Sequence, residues 1–195
     1  MNIGKTSSIV LGMVLLLGAS ACEAVQTKKQ TASGKIEKVN DSSSSSEVKK
    51  INANYGKFDF KLATLDGKSI QLSDYAGKVV LVNIWAPWCG PCRKETPGFA
   101  NLYKEYKEKG FEIVGVAVNT NLKDVTSFIN QYKVPWPNGI DDAVARAYGT
   151  YGLPDNYLFR ADGTLIRRFI GMTSEGTLKP LIEEALKQIA VKESK

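Results

Sequence analysis

The sequence predicts an α/β domain, a sheet covered by helices on both faces. Two apolar runs carry that prediction. Val79-Val80-Leu81-Val82-Asn83-Ile84-Trp85 and Phe111-Glu112-Ile113-Val114-Gly115-Val116-Ala117-Val118 are nearly continuous, as strands buried on both faces are. Each is followed by a stretch whose apolar residues recur at helical spacing, and strands alternating with helices imply such a layered sheet. A third observation adds a β-hairpin in front of the first run.

That hairpin comes from Phe58, Phe60 and Leu62, which alternate with Asp59 and Lys61. A turn follows at Asp66-Gly67, then Ile70 and Leu72 alternate with Gln71. Gly77-Lys78 precede the strand at 79–85. Beyond it Phe99, Leu102, Tyr103 and Tyr106 mark a helix that Gly110 ends. After the strand beginning at Phe111, Val125, Phe128, Ile129 and Tyr132 mark a second helix. Tyr157-Leu158-Phe159 and Leu165-Ile166-Arg167-Arg168-Phe169 flank Asp162-Gly163, a second hairpin. Leu178, Leu181, Ile182, Ala185, Leu186 and Ile189 line a last amphipathic helix. The expected order is ββ, βαβα, ββα.

The chain before this domain reads as an address and a tether. Residues 1–22 form a signal peptide: Lys5 supplies the positive start, the apolar segment runs from Ile9 to Leu17, and small residues lead into Cys22. That apolar segment is shorter than the ~20 residues of a membrane-spanning helix. Gly18-Ala19-Ser20-Ala21-Cys22 resembles the lipobox of bacterial lipoproteins, in which the cysteine is lipidated. Ala19 stands where that family prefers Leu, and Ala19-Ser20-Ala21 also fits an ordinary secretory cleavage site. Lipidation of Cys22 and a lipid anchor in a membrane are the expectation, a soluble exported protein the alternative. Residues 23–54 form a flexible polar linker, with Asp41-Ser42-Ser43-Ser44-Ser45-Ser46-Glu47 at its centre. As coil it spans ~30 Å on average. The folded domain occupies residues 55–195.

Composition removes several function classes. The net charge of +6 is modest and the lysines are scattered, so no nucleic-acid partner is expected. Three cysteines and no histidine leave too few ligands for a zinc site, and no metal or other cofactor is expected. A Ser-His or Cys-His catalytic pair is excluded. What remains is Trp88-Cys89-Gly90-Pro91-Cys92 at the end of the first buried strand. Two cysteines two residues apart at a strand–helix junction can form and break a disulfide with little backbone movement. The first sits at the positive end of a helix dipole, which lowers its pKa below the unperturbed ~8.5. A permanent staple is the lesser reading, because so short a loop gains little entropy from closure.

The order of elements, with Trp-Cys-Gly-Pro-Cys at the first strand–helix junction, resembles the thioredoxin fold with an added N-terminal β-hairpin, a central mixed sheet flanked by helices. Pro97 falls where thioredoxins kink the active-site helix, and Leu153-Pro154 where they carry a cis-proline beside the dithiol. The hairpin, the segment Gly77–Cys89 and Arg93-Lys94-Glu95-Thr96-Pro97 are similar to the TlpA/ResA group. Those are membrane-tethered extracytoplasmic thiol–disulfide oxidoreductases that serve cytochrome c maturation and related tasks. The resemblance covers about residues 55–190.

The resemblance implies roles for individual residues. Cys89 is the exposed nucleophile and Cys92, more buried, resolves the mixed disulfide. Gly90 and Pro91 are the spacing pair of reductants, whereas strong oxidants often carry a histidine there. Pro154 keeps a backbone N–H away from the sulfurs and offers an edge to the partner's chain. Trp88 shields the dithiol; Trp85 and Trp136 pack in the core or loops. Asn83 replaces the titrating Asp of thioredoxins, and Glu95 is either a proton-transfer group, as in the TlpA/ResA group, or a solvated helix residue.

The implied activity is reduction of disulfides in extracytoplasmic proteins by a monomer, with an integral membrane thiol carrier as electron donor. Apocytochrome c, another envelope protein and a general disulfide pool are all compatible clients. Rival readings fit less well. A peroxiredoxin-type peroxidase needs Thr or Ser placed before a lone cysteine, where Pro87-Trp88 stand here. A copper module of the Sco type needs CxxxC and a histidine. A chaperone whose dithiol is incidental stays open.

Overall fold

The computed structural model describes residues 53–193; the signal peptide, Cys22 and the linker up to residue 52 lie outside the described residues. Five strands form the central mixed sheet: β3 (Val79–Trp85), β4 (Phe111–Ala117), β5 (Asn138–Ile140), β6 (Asp155–Phe159) and β7 (Leu165–Ile170). Their order is β5-β4-β3-β6-β7, with β3, β4 and β5 parallel and β6 and β7 antiparallel to their neighbours β3 and β6. A separate hairpin joins β1 (Lys61–Ala63) to β2 (Ser69–Gln71). The helices are α1 (Gly90–Tyr106), α2 (Leu122–Tyr132), α3 (Asp142–Ala147) and α4 (Glu175–Glu193).

The N-terminal hairpin is shorter than its alternation predicts. Phe58 closes one 3-10 turn and Leu72 opens another, which Asp74 caps by accepting the Gln71 N–H at 2.6 Å. The turn itself falls on Asp66-Gly67, with Gly67 at φ +80°. The Leu65 N–H donates to the Asn138 carbonyl and Thr64 bridges to Gly139, so the hairpin covers the outer edge of β5.

The sequence reading missed β5 and α3. β5 has three residues and α3 six, too few for either period to register. Asp141 was the available signal: its carboxylate accepts the N–H groups of Ala143 and Val144 and starts α3. The other strands and helices fall where the apolar pattern puts them, within a few residues. Gly110, at φ +96°, stops the chain after α1 and a 3-10 turn at Lys107–Lys109.

All seven residues of β3 and of β4 are buried. Fully burying each large apolar side chain contributes about 1.5–3 kcal/mol, so this pair anchors the fold. Strand alternation divides the core. Val80, Val82 and Ile84 pack with Val144 of α3, with Tyr148 just beyond its end and with Leu62 of the hairpin. Val79 and Leu81 face the other way, against Phe99 and Leu102 of α1 and Leu178 and Ile182 of α4. Asn83 lies on that second face, toward α1, because the period of a strand is two.

The sheet admits a close approach at Gly115. A Cβ there would lie 1.9 Å from Asn138 Oδ1, the atom that accepts the Trp85 Nε1–H at 3.1 Å. Gly115→Ala is expected to lower the unfolding free energy by about 1–3 kcal/mol, read as a drop in the denaturant midpoint.

Candidate active site

β3 delivers the chain to the site, and Cys89 is the N-cap of α1. Cys89 and Cys92 are joined by a disulfide, their Cα atoms 5.3 Å apart. The Cys92 N–H donates to Cys89 Sγ at 3.2 Å, so the first sulfur occupies the capping position at the positive end of a 17-residue helix. Pro91 lies in the first turn, where its missing N–H removes no helical hydrogen bond. Pro97 is accommodated inside α1.

Cys89 was expected to be exposed, and the structure corrects this. Cys89 is 4 % exposed and Cys92 1 %, because Trp85, Ala117, Val125 and Phe128 pack around both. The difference between them is access. Cys89 lines a cavity of about 500 Å³ together with Trp88, Pro91, Asn119, Arg146 and Tyr151, whereas Cys92 does not. Trp88 is exposed and donates its Nε1–H to the Asn119 carbonyl at 3.0 Å, which lays the indole beside the cavity. Trp85 and Trp136 are buried, as expected.

The Leu153–Pro154 peptide bond is cis. Leu153 packs against the cluster that holds both cysteines, which brings this segment beside the dithiol. Thr150, Tyr151, Gly152 and Leu153 form one wall of the cavity.

Glu95 is buried, 4 % exposed, so the solvated alternative falls away. It sits three residues beyond Cys92 on α1, nearly one turn, on the same inward face. Its carboxyl meets three N–H donors. Asn83 Nδ2 reaches Oε1 at 3.1 Å, while Asn156 Nδ2 at 3.1 Å and the Thr173 N–H at 3.0 Å reach Oε2. Asn83 and Asn156 are directly opposed across β3 and β6, and Asn83 Nδ2 also donates to Asn156 Oδ1 at 2.7 Å. Burial pushes the carboxyl pKa from 4.5 up to about 7, against the opposing pull of those three donors.

Asn156 and Thr173 were missed, as was a second polar cluster at Asp155. The apolar run Tyr157-Leu158-Phe159 marks only part of β6, which the polar pair Asp155-Asn156 begins. The signal was their place directly after Leu153-Pro154, where a strand flanking the dithiol has to start. Among the described residues no group of three His, Cys, Asp or Glu side chains is arranged to hold a metal ion. Nor does any helix there have the length and apolarity to cross a membrane. Among the described residues the large apolar side chains that stand exposed are Trp88, Leu122, Tyr151, Ile170 and Met172, and these lie at the dithiol end of the sheet.

A family model described as Redoxin matches residues 34–186. The thiol-disulfide oxidoreductase ResA of Bacillus cereus (strain ATCC 10987 / NRS 248) is 38% identical over 133 residues, 67% of this chain and 75% of that protein. ResA of Bacillus subtilis (strain 168) is 38% identical over 122 residues, 62% of this chain and 68% of its own. Among solved structures, a thiol:disulfide interchange protein of the thioredoxin family from Chlorobium tepidum TLS superposes with a TM-score of 0.62. It is 26% identical, and the match covers 72% of this chain and 99% of that one.

Proposed function

The chain belongs to the Redoxin family and is a thiol–disulfide oxidoreductase of the TlpA/ResA type, and on that premise we propose that its Cys89/Cys92 dithiol reduces disulfides of extracytoplasmic proteins, apocytochrome c among them. The observation that carries this reading is the asymmetry of the pair. Cys89 opens onto the cavity from the helix N-terminus, while Cys92 lies behind it beside a buried carboxyl.

The cycle starts from the reduced pair. The Cys89 thiolate attacks one sulfur of the client disulfide; that S–S bond breaks, a Cys89–client disulfide forms, and the second client sulfur leaves as a thiolate. Cys92 passes its proton to Glu95 and attacks Cys89 Sγ. The mixed disulfide breaks, the client departs with two thiols, and the two electrons it gained leave the Cys89–Cys92 disulfide behind. Glu95 suits this step because burial places its pKa near neutrality. An integral membrane thiol carrier regenerates the dithiol by the reverse exchange.

The other parts of the site serve client binding. Trp88, Gly90 and Pro91 border the cavity from the motif side, and the segment before Pro154 borders it from the other. Tyr151, Gly152 and Leu153 make no backbone hydrogen bond among the described residues, so their peptide groups are free to pair with an extended client chain. The exposed apolar side chains around the dithiol suit an unfolded polypeptide better than a small solute. The signal peptide and Cys22 support lipid anchoring on the outer face of the cell membrane, with residues 23–54 as the tether of a monomer.

Cys92→Ser is the direct test, since it leaves the first attack intact and removes the second. The variant is expected to accumulate a covalent complex with a disulfide-bonded apocytochrome c, visible on a non-reducing gel and absent for Cys89→Ser. Complexes formed equally by both variants, or by neither, would contradict the assignment.

A further inference from the structure

The second polar cluster lies on the opposite face of the sheet from Glu95 and has no part in the proton path. Asp155 follows Pro154 directly and is 0 % exposed. Arg168 of β7 stands across from Tyr157 of β6 and grips Asp155 with two nitrogens, Nε to Oδ1 at 2.9 Å and Nη2 to Oδ2 at 2.6 Å. The same Nη2 donates to the Gly149 carbonyl at 2.9 Å. Thr150 Oγ1 donates to Asp155 Oδ2 at 2.8 Å. The guanidinium carbon lies 5.3 Å from the ring centre of Tyr151 and 5.1 Å from that of Tyr157. Arg168 and Asp155 together therefore hold Gly149, Thr150 and Tyr151, three consecutive residues.

Those residues lead into the cavity wall beside Cys89. Tyr151 is 77 % exposed and has no core to pack against. Without backbone hydrogen bonds of their own, Tyr151–Leu153 take their position from what flanks them. On one side that is the Leu153 packing and the cis-proline; on the other it is Arg168. Only a planar fork can pair with a carboxylate through two nitrogens, reach a carbonyl and lie against two aromatic rings at once.

We propose that Arg168 is a positioning residue for client recognition: through Asp155, the Gly149 carbonyl and the Tyr151 ring it fixes the Thr150–Leu153 segment as the docking edge for a client's extended chain. Tyr151 is the side chain it presents, an aromatic face for an apolar residue beside the client's cysteine. The inference rests on the functional reading above.

Two disulfides separate recognition from chemistry: a cyclic peptide with leucine and phenylalanine beside its cysteines, and bis(2-hydroxyethyl) disulfide. The reduced chain is mixed with each, and the half-saturation concentration and limiting rate of dithiol oxidation are measured. Arg168→Lys keeps a cation opposite Asp155 but loses the fork. It is expected to raise the half-saturation concentration for the peptide about tenfold, with its limiting rate and the small disulfide's rate within about twofold of the unsubstituted chain. Arg168→Gln, which also removes the fork, is expected to give the same split, and thermal melts of both variants confine the comparison to folded protein, which keeps the test decisive if Arg168→Lys folds poorly. Equal losses on both disulfides in both variants, or an unchanged peptide profile, overturn the positioning role. Failure of the unsubstituted chain to reduce either disulfide overturns the functional reading itself.

Discussion

Cys89→Ser is expected to lower client reduction by at least about a thousandfold, or ~4 kcal/mol of barrier, with little change in fold. A hydroxyl at the N-cap of α1 still accepts a helix N–H, so the local structure survives the exchange. The short ring closed by the disulfide adds little to stability, so its loss does not blur the result. What disappears is the only sulfur that lines the cavity among the described residues. The measurement is turnover of a disulfide-bonded client with dithiothreitol as the electron source, alongside thermal melts of both chains. Residual turnover above a tenth of normal would mean that the dithiol is incidental, as in a chaperone.

Glu95→Gln has the second-largest effect, and it acts on two observables with opposite signs. The first is rate. Resolution of the mixed disulfide needs a proton acceptor, so it speeds up as pH rises through about 7, where Glu95 ionises. Gln keeps the shape but accepts no proton. Resolution is expected to slow by about 10²-fold near neutral pH, and the inflection near pH 7 is lost. Formation of the mixed disulfide, a separate step, stays close to normal. Rapid-quench kinetics on the isolated complex resolve the two.

The second observable is stability. The folded-state pKa of Glu95 lies above its ordinary 4.5, so between about pH 4.5 and 7 the folded chain keeps a proton that the unfolded chain has released. Stability therefore falls as pH rises through that window, by ~3 kcal/mol in all. In Glu95→Gln the fall should be absent and the chain more stable above pH 7. Urea midpoints at several pH values test this, and a parallel decline in both chains would place the titration elsewhere.

The two largest strands were legible because buried parallel strands leave continuous apolar runs, and the dithiol because its spacing and junction are local in sequence. What the chain could not display is what long-range register creates. Asn83 and Asn156 are 73 residues apart and meet only because β3 and β6 pair in one particular register. For Glu95 the sequence leaves a proton-transfer group and a solvated helix residue both open, and only the inward turn of the face it shares with Cys92 decides between them. The same holds for Asp155 and Arg168, whose contact with the cavity wall depends on β6 pairing with β7. Sulfur exposure was misjudged for a related reason, since residues of β4 and α2 close over the motif from elsewhere in the chain.

The central claim is that this site reduces rather than oxidises, with Gly90-Pro91 between the cysteines and no histidine in the chain. Redox titration of the Cys89/Cys92 pair against glutathione or dithiothreitol buffers measures it directly. The account predicts a potential near or below thioredoxin's, about −270 mV; a value close to the strong oxidant DsbA's, about −120 mV, would contradict it.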